Sequence, residues 1–302
     1  MPLLGGTWWG LGSRSQGMQE STERGAPLFP ACAHPGCRSG RVHLWRNRGV
    51  PQIEGGWTCS PGCTVERMRM LVAREMSGYG EPVALYRHRV PLGLMMLQRG
   101  WIDQSSLQRA LVAQREGVDM RIGAWLTRHA GLSERRVTET LSLQWNSPVF
   151  TGDFDARVLS RPPLPRILID ACGVLPLRWS AMGTLHLAFE SGIDHRLVLA
   201  FERLTGVHAE VGLLPDSLFA RCRNRLLEVP FPRTRLLEAV TPEALAAALA
   251  RQVERAQPAA ARLVRYDRYF WLRMWPKEDA VAEAQQESED VIAALVDFSE
   301  RS

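Results

Sequence analysis

Residues 91–102 read PLGLMMLQRGWI, and residues 121–132 read RIGAWLTRHAGL. The likeness extends to PLGLMMLQRGWIDQSSLQRALVAQ (91–114) against RIGAWLTRHAGLSERRVTETLSLQ (121–144). Leu92/Ile122, Gly93/Gly123, Met96/Leu126, Gly100/Ala130, Ile102/Leu132, Leu107/Val137, Leu111/Leu141 and Gln114/Gln144 all match at an interval of 30. Agreement in character at so many positions marks an internal repeat. Each copy is expected to be a short helix, a tight turn and a longer helix. Asp103 and Ser133 stand where N-caps belong, just before the periodic runs. Leu107, Leu111 and Gln114 then fall on one helical stripe, as do Val137, Leu141 and Gln144.

That geometry has chemical consequences. A glutamine closing an apolar stripe must satisfy its amide if buried. It can bond a neighbouring helix end, or it can read the edge of a base. Gly93 and Gly123 open the short helices, where a missing Cβ admits a close approach. Helix N-termini favour phosphate, and Arg121 adds a charge-assisted donor there. Two such cradles side by side suit a ligand with twofold symmetry. Ordinary helix packing explains the same residues. A DNA-reading helix-turn-helix is disfavoured, because QSSLQRALVAQ and ERRVTETLSLQ carry no concentrated basic face.

The tandem pattern R-L-G-x-x-L-L-x-x-G-x-I-x-x-x-x-L-x-x-x-L-x-x-Q resembles the N-terminal domain of type II secretion and type IV pilus assembly ATPases. This is the MshE-type N-terminal domain, some members of which bind cyclic di-GMP. The resemblance implies ligand-binding roles for Leu92, Gly93, Leu97, Leu111 and Gln114 in the first copy. It implies the same for Arg121, Ile122, Gly123, Leu126, Leu141 and Gln144 in the second. Arginine and glutamine would make the polar contacts, and the leucines would pack on the dinucleotide. Pro91 stands where the family has arginine, with Arg89 as the nearest substitute, and the linker REGVDM is one residue longer. One lost charge-assisted contact corresponds to about 1.5–3 kcal/mol, or roughly one to two decades of affinity. The resemblance covers residues 88–227; the ATPase motor that follows in the secretion proteins is not expected here.

Within that span, VLPLRWS and TLHLAFE read as strands paired around Ala181-Met182-Gly183. DHRLVLAFERLTG reads as an amphipathic helix ending at Gly206. VHAEVGLL reads as a further strand and PDSLFARCRNRLL as a closing helix, burying Phe201, Leu204 and Phe219.

Upstream, CAHPGC and WTCSPGC place Cys32, Cys37, Cys59 and Cys63 in two tight pairs on Pro/Gly turns. This is the layout of a ribbon-type structural zinc site, closed and not catalytic. RVHLWRN and a segment ending in GGW would form a hairpin between the pairs, and VERMRMLVAREMSG a helix leaving the module. His34 and His43 are possible substitute ligands. With little core of its own, the module would draw most of its folding free energy from metal, on the order of 10 kcal/mol. Cys172 and Cys222 read as core residues.

Downstream, TPEALAAALARQVERAQP reads as a helix capped by Thr241 with Pro242 at its first position. ARLVRYDRYFWLRMWPK interleaves arginine with aromatics. That pattern can clamp single-stranded nucleic acid, but a hairpin packing its aromatic face inward is the commoner use. The residues from Glu278 onward hold eight acidic residues and one arginine, leaving the rest of the chain at +12 of a total +5. They read as an amphipathic helix through VIAALVDF or as a tail.

The chain has 37 basic residues, of which only Lys277 is lysine, and Lys277 has no glycine loop around it. An ordinary P-loop ATPase site is therefore excluded. No apolar run is long enough to span a membrane, and no signal peptide is evident, so a cytoplasmic setting is expected. The expected class is α+β and multi-domain. Residues 1–28 are expected to be a disordered leader, or to follow a start codon placed too early with Met18 as the later candidate, and 29–72 a zinc-ribbon-like module with its exit helix. Residues 85–145 are a tandem helical repeat and 146–229 a small α/β subdomain. Residues 230–302 are a helix, an aromatic segment and an acidic tail. The expected function is a non-catalytic sensor or adaptor that binds cyclic di-GMP and docks on a protein partner in secretion or pilus machinery. The alternatives are an interaction module without nucleotide and a zinc-containing nucleic-acid binder.

Overall fold

The computed structural model describes residues 31–38, 49–78, 89–116, 121–277 and 287–296. The expected leader over residues 1–28, and His43 with its hairpin strand, lie outside these. The fold is α+β. Among the described residues no helix is long and apolar enough to cross a membrane.

Two small strands, β1 (Gln52–Ile53) and β2 (Gly56–Trp57), precede the long helix α1 (Pro61–Ser77). The repeat follows as α2 (Leu92–Gln98), α3 (Gln104–Arg115), α4 (Ile122–His129) and α5 (Glu134–Trp145). Asp103 caps α3 by accepting from the Ser106 amide at 2.8 Å. Ser133 occupies the equivalent place without a side-chain bond.

Short helices α6 (Ala156–Ser160) and α7 (Arg166–Cys172) lead into a three-stranded sheet. Its strands are β3 (Val174–Trp179), β4 (Leu185–Phe189) and β5 (Ala209–Leu213), in the order β3-β4-β5. β3 and β4 are antiparallel around Gly183, whose φ of 79° needs a glycine. Helix α8 (His195–Thr205) ends at left-handed Gly206 and crosses to β5, which lies parallel to β4. Helix α9 (Asp216–Leu227) closes the unit. Phe201, Leu204 and Phe219 are buried as expected. The segment after α5 runs beside β5, with the Phe150 amide donating to the Leu213 carbonyl at 2.8 Å. That seam fastens the repeat to the sheet.

The C-terminal third is a second sheet. Its strands are β6 (Thr234–Ala239), β7 (Ala260–Tyr266), β8 (Tyr269–Trp275) and β9 (Glu289–Leu295), in the order β6-β9-β8-β7, with helix α10 (Pro242–Ala256) packed on one face. The acidic stretch is neither a helix nor a tail where it is described: β9 is an inner strand, parallel to β6 and antiparallel to β8. FPRTRLL is not merely a lead into α10 but supplies the edge strand β6.

Alternation along these strands splits the core in two. Phe270, Leu272, Val291 and Ala293 face α1 and α10. Val264, Tyr266, Trp271 and Ile292 face the three-stranded unit. The sheet is thus buried on both faces, which explains its dense aromatics as packing. Trp271 is 1% exposed. Nucleic-acid stacking has no free rings to use there.

Met68, Leu71 and Val72 of α1 share the second core with Leu245, Leu249 and Val253 of α10. The exit helix and Ile53 are thus buried in the second core, whereas Trp57, Cys59 and Cys63 form a small cluster of their own. The N-terminal module also covers an open strand. The Gln52 amide donates to the Pro258 carbonyl at 3.0 Å and the Glu54 amide to the Ala261 carbonyl at 2.8 Å. Farther along, the Arg265 amide donates to Glu75 at 3.0 Å, and Arg74 donates to the Leu263 carbonyl at 3.3 Å. Backbone and side chains of one module thus satisfy the outer edge of β7.

Candidate functional site

The two copies meet as reciprocal halves. α2 packs against α5, α4 packs against α3, and α2 meets α4 between them. Each half is built on the same close approach. A Cβ at Gly93 would lie 2.4 Å from Leu107 Cδ1, and one at Gly123 would lie 2.7 Å from Val137 Cγ1. Both partners sit fourteen residues downstream of their glycine. The glycines admit the second helix of their own copy. One pairing shifts: the left-handed turn residues are Gly100 and Gly131, both at φ 66°, so Gly131 rather than Ala130 matches Gly100. α4 is one residue longer than α2, and the register is restored by Ile102 and Leu132.

The implied ligand residues divide by position. Gly93, Gly123, Leu126 and Leu141 are buried, and Leu126 is fully enclosed. Leu92, Leu97 and Ile122 are half-buried against the core. Leu111 is exposed at 40%, while its counterpart Leu141 is 8% exposed. Gln114 and Arg121 are exposed. The asymmetry arises because α5, not α3, packs against β5. The first copy thus leaves Leu111 and Gln114 accessible.

The polar members of the second copy have partners. Gln144 Nε2 donates to the Val90 carbonyl at 2.7 Å, just before α2, so this amide ties one copy to the start of the other. The position equivalent to Val90, residue 120, lies outside the described residues. Arg121 caps α4 from extended backbone and pairs with Glu190 at 2.6 Å. Arg89 lies over the Trp145 ring, 3.1 Å from its centroid. Burial lowers the nearby His195, and the Arg89 charge adds to that. Near Arg121 the field is mixed. Burial raises the Asp216 carboxyl, with Glu190 and Glu134 adding to the rise and Arg121 opposing it. A phosphate arriving at Arg121 meets the Glu190 carboxylate, which already takes one of the guanidinium's hydrogen bonds. The residues missed by the sequence reading, Glu190 and Trp145, differ in legibility. Trp145 adjoins Gln144, whereas Glu190 is 69 residues from Arg121 and leaves no local mark.

At the other end of the molecule, the sulfurs of Cys32, Cys37, Cys59 and Cys63 all lie within 4.8 Å of one another. Cys37 and Cys59 are 3.4 Å apart, and Cys59 and Cys63 are 3.6 Å apart. Four thiolates around a tetrahedral zinc sit about 3.8 Å apart, given bonds of about 2.3 Å. The donor set and its spacing fit that ion. Cys63 lies three residues into α1 beyond the Ser60 cap, and burial raises its thiol against the opposing hydrogen bonds of Ser60 and Cys59. Burial and the neighbouring thiols push Cys59 up to about 12. Such a group ionises readily only beside a cation. His34 does not join the cluster. A hydroxyl chain anchors the site to the second core: Thr58 and Thr64 share a 2.8 Å hydrogen bond, and Thr64 donates to Glu254 of α10.

A groove of about 750 Å³ opens away from both sites, over β7, lined by Glu54, Arg74, Arg203 and Arg262 among others. Its arginines are engaged. Arg74 pairs with Glu54 and Glu75, Arg203 with Glu75, and Arg262 with the Leu204 carbonyl.

No family model and no curated protein matches the chain. Solved structures do. The chain resembles MshE and the N-terminal domain of XpsE. A structure of MshE with cdg is 24% identical, at a TM-score of 0.38, over 46% of this chain and 99% of that one. The XpsE N-terminal domain is 23% identical, at a TM-score of 0.32, over 44% of this chain and 92% of that one. A second crystal form of that domain is 20% identical at a TM-score of 0.27.

Proposed function

We propose that this chain is a non-catalytic sensor or adaptor whose tandem repeat takes up cyclic di-GMP, in secretion or pilus machinery. The observation that carries the reading is the reciprocal packing of the two copies, which sets two equivalent helix starts beside each other. A ligand with its own twofold axis matches that arrangement. Cyclic di-GMP is the dinucleotide to test because MshE has been solved with cdg. The accessible Leu111 and Gln114 supply an apolar contact and an amide. Arg121 supplies the phosphate donor once it leaves Glu190. That exchange would loosen the repeat from the three-stranded unit, giving a partner protein a signal to read. The four cysteines would hold zinc as a structural staple for the N-terminal module.

A second reading, an interaction module with no nucleotide, is favoured by one specific fact. Arg121 and Gln144 already have partners in Glu190 and the Val90 carbonyl. Titration calorimetry separates the two. Under the first reading cyclic di-GMP gives a saturable heat that Arg121→Ala and Gln144→Ala weaken by about one to two decades. No heat and no thermal shift at high micromolar ligand establishes the second.

A further inference from the structure

The four cysteines are tied to helix α10 through a chain of hydroxyls. The first pair hangs on the second. The Ala33 amide donates to the Trp57 carbonyl at 2.7 Å, and Gly56 admits that contact, since a Cβ there would lie 2.4 Å from Ala33 Cβ. The second pair is bracketed by threonines. Thr58 precedes Cys59, Thr64 follows Cys63, and both threonines are 0% exposed. Their hydroxyls lie 2.8 Å apart, which fastens the strand end carrying Cys59 to the first turn of α1 carrying Cys63. The sulfurs of Cys59 and Cys63, 3.6 Å apart, already stand near the ~3.8 Å of a tetrahedral thiolate pair.

Hydrogen counting gives the chain its direction. A hydroxyl has one proton to donate. Thr64 Oγ1 has two acceptors beside it, a Glu254 carboxylate oxygen and, at 3.2 Å, the Ser60 carbonyl. The carboxylate is the closer and the stronger acceptor. Thr64 therefore donates to Glu254, and Thr58 donates to Thr64. The second oxygen of Glu254 accepts from Gln257 Nε2 at 3.3 Å. Gln257 is the left-handed residue that ends α10, and the next carbonyl, Pro258, accepts from the Gln52 amide at 3.0 Å. The path thus leads from the ligand cysteines to a helix end 190 residues away in sequence.

We propose that Thr64 and Glu254 are positioning residues for the metal, so that zinc at the four cysteines and the last turn of α10 stabilise each other. The proposal rests on reading the cysteines as a zinc site. Neither residue is a ligand. Their bonds hold Cys59 and Cys63 at the separation the ion needs before it arrives, and loss of such an outer partner lowers metal affinity about ten- to hundredfold. Coupling of this kind is reciprocal: what α10 contributes to zinc binding, zinc contributes to α10.

The test uses the full chain and zinc itself, in competition with a chromophoric chelator. Thr64→Val keeps the shape and loses the hydroxyl, and Glu254→Ala removes the acceptor. Each lowers zinc affinity about ten- to hundredfold. Thr64→Ser keeps the donor and Glu254→Gln keeps an acceptor, so both stay near the parent. α1 and α10 retain their shared apolar core in all four variants, so circular dichroism matches the parent and affinity is read on folded protein. Hydrogen exchange supplies a second readout. The Gln257 amide, which donates to the Val253 carbonyl at 2.8 Å, exchanges more slowly once zinc is bound in the parent but not in Thr64→Val. Zinc bound by Thr64→Val as tightly as by the parent overturns the proposal. So does an equal loss in Thr64→Ser and Glu254→Gln, which would make shape and not hydrogen bonding the cause. A parent that takes up no zinc removes the metal reading and the coupling together, whereas a parent that binds zinc with unchanged exchange at Gln257 removes the coupling alone.

Discussion

Arg273 and Asp290 form an ion pair buried to 3% and 0% side-chain exposure, on the face of the C-terminal sheet turned toward the three-stranded unit. Arg273 donates to Asp290 at 2.8 and 3.0 Å and to the Pro163 carbonyl at 2.8 Å. Trp271 Nε1 donates to the same carboxylate at 2.7 Å. The pair therefore pins β8 and β9 to the loop between α6 and α7. Arg273→Met leaves Asp290 buried with the indole as its remaining side-chain donor and removes the donor from Pro163. Removing one partner of a buried pair costs about 3–5 kcal/mol. With a urea slope of about 2 kcal/mol/M, the midpoint falls by about 2 M. Arg273→Met combined with Asp290→Asn removes the stranded charge and regains about 2 kcal/mol of that loss. Arg135→Met, at a pair whose arginine is 87% exposed, shifts stability by no more than about 1 kcal/mol. The assay is equilibrium urea unfolding followed by tryptophan fluorescence and circular dichroism together. A midpoint for Arg273→Met no lower than that of Arg135→Met refutes the pin.

Other outcomes follow from the same geometry. Gly123→Ala drives a methyl into Val137, whose branched side chain is stiff in a helix. It lowers stability by about 1–2 kcal/mol after the gain in helix propensity, and Val137→Ala reduces that penalty in a double-mutant cycle. Burial alone would raise the Glu75 carboxyl, but Arg203, the Arg265 amide and Arg74 outweigh it and hold it below its usual range. Its contribution is therefore complete above its unfolded value and is lost as pH falls through the lower folded value. Below about pH 4.3, acid titration by circular dichroism should destabilise the parent more steeply than Glu75→Gln. Purified chain should carry one zinc, and Cys59→Ser should lose it. Chelation should change emission from Trp57, which packs on Cys59 and Cys63, while α1 stays helical because it keeps its contacts with α10. Unfolding of α1 on chelation would contradict that division of labour.

What the sequence discloses is mostly local. Thr241 and Pro242 start α10, Gly206 stops α8, and Gly183 turns β3 into β4, each through a bond or backbone angle within a few residues. The cysteine pairs are legible because ligand spacing is itself a local pattern. The acidic run hides β9 because Asp290 becomes a core residue only through Arg273 and Trp271, on a neighbouring strand. The glycines of the repeat announce a close approach, but not that Leu107 and Val137 fill it. Nor does anything near Arg121 announce Glu190, which decides whether that guanidinium is available. The two-core arrangement is hidden for the same reason: α1 and α10 are far apart in the chain, and only packing brings them together.

If the repeat takes up cyclic di-GMP as proposed, the Glu190 carboxylate bonded to Arg121 opposes the incoming phosphate. Calorimetric titration of cyclic di-GMP into the parent chain and into Glu190→Gln tests it most directly. Saturable binding to the parent and tighter binding once the competing charge is removed are expected. An absence of heat from both proteins, or equal affinities, would contradict it.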